Sequence, residues 1–93
     1  MTLREFCIRE KSNVNSETKD YNYIDVRFAT NENADNVSFF GAENVEVLLR
    51  VCDNETLNSI ITDIDHWGAE GLYVIDVMPR AFAKLYGYRE IKV

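Results

Sequence analysis

The chain is poor in the residues that punctuate, cross-link or anchor a fold. It holds one proline, Pro79, and four glycines, none adjacent to another. No glycine-rich loop is therefore available to cradle a phosphate, and no Gly-flanked serine forms a nucleophile elbow. Of two cysteines, Cys7 and Cys52, neither belongs to a CxxC pair. In a reducing compartment such residues are expected as small buried side chains rather than as a disulfide. No apolar run is long enough to cross a bilayer, and the polar start Met1-Thr2-Leu3-Arg4-Glu5 is unlike a signal peptide. The expectation is a cytoplasmic protein without membrane contact, in which the sequons at Asn36 and Asn54 are coincidental. Between residues 53 and 76 there is no lysine or arginine at all, against six acids: Asp53, Glu55, Asp63, Asp65, Glu70 and Asp76.

What is present suits one globular domain over residues 1–93. Hydrophobic residues make up 46% and charged residues 28% of the 93 positions, enough for a real core of modest stability. The net charge of −6 is unevenly spread. After Pro79, four bases (Arg80, Lys84, Arg89, Lys92) face a single acid, Glu90. An acidic chain of this kind is not expected to bind nucleic acid directly, which requires a positive face.

The stretch that organises the rest is residues 53–78. Asp53 or Asn54 can cap a helix, and Leu57, Ile60, Ile61, Ile64 and Trp67 follow at helical spacing, with Gly68 at its end. Leu72-Tyr73-Val74-Ile75-Asp76-Val77-Met78 then reads as a strand covered on both faces, with one polar interruption. Packing of that helix across that strand, with Ile61 and Ile75 buried, is the expected seed of the core.

Taken in order, residues 2–11 alternate, with Phe6 and Ile8 inward, and predict a first strand. Residues 12–20 predict an exposed loop, and 21–29 a second strand with Ile24, Val26 and Phe28 on one side and Tyr23, Asp25, Arg27 and Ala29 on the other. Residues 30–36 are polar. Residues 37–40 predict a short strand, followed by a hairpin loop at 41–44. Residues 45–52 fit a strand with Val45, Val47, Leu49 and Val51 on one face. They also fit a helix with Val45, Leu48, Leu49 and Cys52 inside, and β-branched content favours the strand. Pro79 and Gly87 bracket a helix with Phe82, Leu85 and Tyr86 on its apolar side. Residues 88–93 predict a final strand with Ile91 and Val93 buried. The sum is an α+β domain: a mostly antiparallel sheet of five to six strands with two helices on one face, and a possible βαβ unit at 45–78.

No motif fixes a chemistry. Asp63 and His66 would share one helix face and, with Asp76 or Glu70, could approach a divalent metal, although two ligands fall short of a set. A Cys/His/Asp site would need Cys7 or Cys52 beside His66, with Asp63 or Asp76 as orienter, yet nothing activates either thiol. No cofactor is implied. The aromatics say more. Tyr21 and Tyr23 fall on the outward side of the second strand, with Phe39 and Phe40 nearby, and an exposed aromatic strip suits a homodimer or protein-partner interface. The leading expectation is a non-enzymatic interaction module that self-associates. One alternative is an acidic decoy that imitates nucleic acid, of the sort found in phages and mobile elements. The other is a small metal-dependent enzyme or sensor using Asp63 and His66.

Overall fold

The computed structural model describes residues 1–29 and 37–92. Within them the protein is an α+β fold of four strands and four helices, in place of the expected five to six strands and two helices. The first element corrects the sequence reading. Residues 3–12 form helix α1 (Leu3–Ser12), not a strand. The Thr2 hydroxyl accepts from the Glu5 amide at 3.2 Å, and the Glu5 carboxylate accepts from the Thr2 amide at 3.0 Å. This reciprocal capping box satisfies two amides that a helix start otherwise leaves open. Leu3, Phe6, Cys7 and Glu10 follow at i, i+3, i+4 and i+7 and are buried, whereas Ile8 is exposed. A short 3₁₀ turn, Glu17–Asp20, then leads into β1 (Tyr23–Ala29).

Strand β2 (Val37–Ala42) runs through the segment expected to turn at 41–44. The chain then enters α2 (Val45–Val51), because the Asn44 side chain caps the Val47 amide at 2.9 Å. Val45 and Leu48 are buried and Val51 is exposed, so the helical alternative prevails over β-branched propensity. Asp53 caps the Thr56 amide at 2.8 Å, as its position suggested, but the helix it starts is one turn, α3 (Asn54–Leu57). The Ser59 hydroxyl donates to the Glu55 carbonyl at 2.8 Å, and the chain extends into β3 (Ile60–Trp67). The long helix expected to end at Trp67 is therefore mostly strand.

A 3₁₀ turn, Gly68–Glu70, closes on Gly71 at φ 67°, a left-handed position where a Cβ would also meet the Asn22 amide at 2.5 Å. Glycine is needed there rather than at Gly68. Strand β4 (Leu72–Met78) and helix α4 (Arg80–Tyr86) follow, the latter ended by Gly87 at φ 76°. On α4 the buried residue is Ala83, and Leu85 is exposed. Residues 88–92 form no strand. The Ile91 amide donates to the Ile61 carbonyl at 2.8 Å, and the Ile61 amide to the Met1 carbonyl at 3.0 Å, so the two ends of the chain cover the start of the β3 edge. Val93 lies outside the described residues, as do 30–36.

The sheet order is β2-β1-β4-β3, with β1/β2 and β4/β3 antiparallel and β1/β4 parallel. No βαβ unit forms at 45–78. Its expected helix is instead the hairpin partner of β4, and the parallel pair is β1/β4. Helices α1, α2 and α3 seal one face. Beneath them lie Ile24, Val26, Phe28, Ile61, Tyr73, Ile75 and Val77, in contact with Leu3, Phe6, Cys7, Leu48 and Leu57. Ile61 and Ile75 are fully buried.

Candidate interaction surface

Alternation along each strand sends the remaining side chains to the opposite face. The registers arrange them in rows across the sheet. One row holds Ala29, Met78 and Ile60, and here Ala83 of α4 packs on Ile60 and Met78, with Ala29 against them. The next row reads Phe39, Arg27, Asp76, Asp63; the third Gly41, Asp25, Val74, Asp65; the fourth Tyr23, Leu72, Trp67. Among the described residues α4 is the one helix on this face, and it reaches one end of it. Phe39 remains 66% exposed and Trp67 42%.

The charges on this face are organised. Both guanidinium nitrogens Nε and Nη2 of Arg27 donate to the Asp76 carboxylate, the latter at 2.8 Å, in the bidentate geometry that makes such pairs specific. The hydrogen bond to Asp76 holds Arg27 charged. Partial burial pushes the Asp25 carboxyl above its ordinary range; Arg27 pulls it back and Asp76 adds to the rise. Asp65 accepts from the Trp67 indole Nε1 at 2.8 Å and from the His66 amide at 2.9 Å, which lowers its pKa and ties the indole down beside it. Tyr23 lies over Gly41, where a Cβ would sit 2.3 Å from the tyrosine oxygen. That contact explains the glycine inside an edge strand. The face thus presents four carboxylates and one paired guanidinium, bordered by Tyr23, Phe39 and Trp67.

The residues expected to share a site are divided by the sheet. Tyr23 and Phe39 lie on the open face. Tyr21 precedes β1 and packs edge-on against Tyr73, with ring centroids 5.3 Å apart, and Phe40 packs into the covered core. Asp63 is on the open face, paired across from Asp76. His66 is on the other, stacked on Tyr73 at 4.9 Å with its Nδ1 3.3 Å from Glu17. Residues three apart share a helix face but oppose one another on a strand, so the proposed Asp63/His66 ligand pair diverges. Among the described residues no three His, Cys, Asp or Glu side chains come together at metal-binding distance. Cys7 and Cys52 are buried, which pushes their thiols up to about 12 and about 11, and His66 is far from a nucleophile's position beside them.

Sequence reasoning missed Trp67, assigned to a buried helical stripe, and the Arg27–Asp76 pair, assigned to solvated side chains. The lone acid in 72–78 and the parity of Arg27 in β1 were the available signals. A cleft of about 450 Å³ also opens on the helical side, lined by Glu10, Lys11, Lys19, Tyr21, Glu43 and Glu46 among others, a mixed-charge lining without a converging catalytic set. Comparison with known proteins adds no family, because no family model, curated protein or solved structure matches the chain. Among the described residues no helix is long and apolar enough to cross a membrane.

Proposed function

We propose that the protein is a non-enzymatic interaction module of the cytoplasm that associates with a second copy of itself through the open sheet face. The observation that carries this reading is the asymmetry of the sheet. Three helices seal one side, while the other leaves Tyr23, Phe39 and Trp67 partly in water around an ordered set of charges. Aromatic residues beside a paired arginine are the composition of an interface centre. Sedimentation velocity across a concentration series tests it. Concentration-dependent dimerisation, weakened by Phe39→Ser, is expected. A monomer throughout, from low micromolar to submillimolar protein, refutes it.

A second reading has one observation in its favour. Asp25, Asp63, Asp65 and Asp76 share one face, as an acidic decoy for a nucleic-acid groove requires. Arg27 neutralises part of that set, which makes it the lesser reading. Salt-sensitive binding to a basic nucleic-acid-binding protein, lost in Asp63→Asn/Asp65→Asn, would favour it.

A further inference from the structure

The geometry points to reciprocal docking of two copies, in which α4 of each lies on the open rows of the other's sheet; this rests on the self-association reading and specifies its mode. A two-fold interface uses the same patch twice, so the patch must carry two complementary halves. The open face has them. At one end stands α4, whose outward side presents Ala81 and Leu85, the latter 70% exposed, with Lys84 exposed beside them. Arg80 belongs to the same end and is held by Glu90 at 2.9 Å. At the other end lie Asp63, Asp25 and Asp65 among Phe39, Val74, Leu72 and Trp67. A half-turn places the basic apolar helix of each copy on the acidic apolar sheet of its partner. The chain's net charge of −6 disfavours most other self-contacts, since they would set acid against acid.

The dimensions agree. A seven-residue helix is about 10 Å long. Three rows of alternate residues on four strands span about 14 Å between the outer rows and about 14 Å between the outer strands. The helix therefore fits the uncovered area without displacing its own α4. A patch of this size falls below the standard interface class, so the dimer is expected to be weak, with dissociation in the micromolar range.

Charge exchange tests the inference. Lys84→Glu and Asp63→Lys alter exposed side chains on opposite halves of the patch. Each variant alone is expected to dimerise at least tenfold more weakly than the wild type. In an equal mixture both cross-contacts become attractive, so a heterodimer of near wild-type affinity is expected. Sedimentation equilibrium reads all four samples, and circular dichroism checks that each variant is folded. Lys84→Gln and Asp63→Asn replace any variant that is not, and each is then expected to weaken the dimer and to flatten its dependence on salt. A wild-type monomer at all concentrations overturns the self-association reading. A wild-type dimer indifferent to both substitutions, or a mixture with no gain over the single variants, overturns reciprocal docking and leaves self-association standing.

Discussion

Replacing Arg27 by Met removes the one cation from a patch of four carboxylates and keeps the aliphatic length that lies along the sheet. The cost can be bracketed. The side chains of Arg27 and Asp76 are 34% and 29% exposed. A fully exposed pair contributes about 0.2–1 kcal/mol, and breaking a fully buried one costs about 3–5 kcal/mol. A pair two-thirds withdrawn from water, doubly hydrogen-bonded, should lie between, so a loss of about 1.5–2.5 kcal/mol is expected in urea unfolding at neutral pH and low salt. The pH dependence provides the sharper test. Asp25 is already raised by its partial burial, and Arg27 is the charge that lowers it. An acid whose folded pKa exceeds its unfolded value destabilises the fold in full above the folded pKa, and ceases to do so below the unfolded value near 4. Without Arg27 that penalty grows, so the deficit of the variant should be largest at neutral pH and shrink as pH falls through the carboxylate range. Asp76→Asn should cost less, since Arg27 keeps Asp25 and Asp63 nearby. A loss under about 0.5 kcal/mol, inside the range of an exposed pair, or one that grows on acidification, refutes the argument.

Three other outcomes are expected. Ile61→Ala and Ile75→Ala, both at fully buried positions, should each lose about 2–5 kcal/mol in urea titrations; a loss well under 1 kcal/mol at both would contradict the core described. Gly71→Ala should cost about 1–2 kcal/mol because of its left-handed backbone, with the Asn22 contact adding to it, whereas Gly68→Ala, which meets nothing within 4 Å, should be near neutral in the same titration. Cys7 and Cys52 should resist alkylation by iodoacetamide at pH 8 in the native protein and react on unfolding, since burial keeps both protonated; native labelling as fast as in denaturant would contradict it.

What was legible in the sequence was what local chemistry decides. The β-rich run bounded by Gly71 and Pro79 became β4, the period-two pattern of 23–29 became β1, and Pro79 and Gly87 bracket α4. The capping asparagine and aspartate act where they stand. The failures came where two patterns overlapped. In 2–11 the alternation of Phe6 and Ile8 competed with Leu3, Phe6, Cys7 and Glu10, and the Thr2/Glu5 box decided for helix. In 45–52 both readings were open, and Asn44 settled it through a bond that β-branched propensity cannot outweigh. Of the four aromatics singled out for an interface, parity alone placed Tyr23 and Phe39 on the open face. Tyr21 lies before the strand begins, and Phe40 has the opposite parity to Phe39. The pairing of Arg27 with Asp76 depends on a parallel register between segments 49 positions apart, which no local pattern encodes.

The deepest misreading has a structural cause that also shapes the surface. Strand β3 carries a bulge: Ile61 pairs with Val77 and Asp63 with Asp76, leaving Thr62 as the extra residue. One inserted residue turns a period of two into a spacing of three, so Ile61 and Ile64 share a face as they would on a helix. That is why the segment imitates an amphipathic helix in sequence. Remove the bulge in thought and every later side chain changes sides. Asp63 and Asp65 would then point beneath α1 and α2 among Ile75 and Tyr73, where two buried carboxylates without partners are untenable. Ile64 and His66 would take their places on the open face. With Thr62 set aside, the apolar residues face the core and the two acids join Asp25, Arg27 and Asp76 outside. Bulges that re-aim side chains are a recurrent device beside functional surfaces. Here a single residue both completes the core and assembles the charged, aromatic-rimmed face on which the proposed association depends.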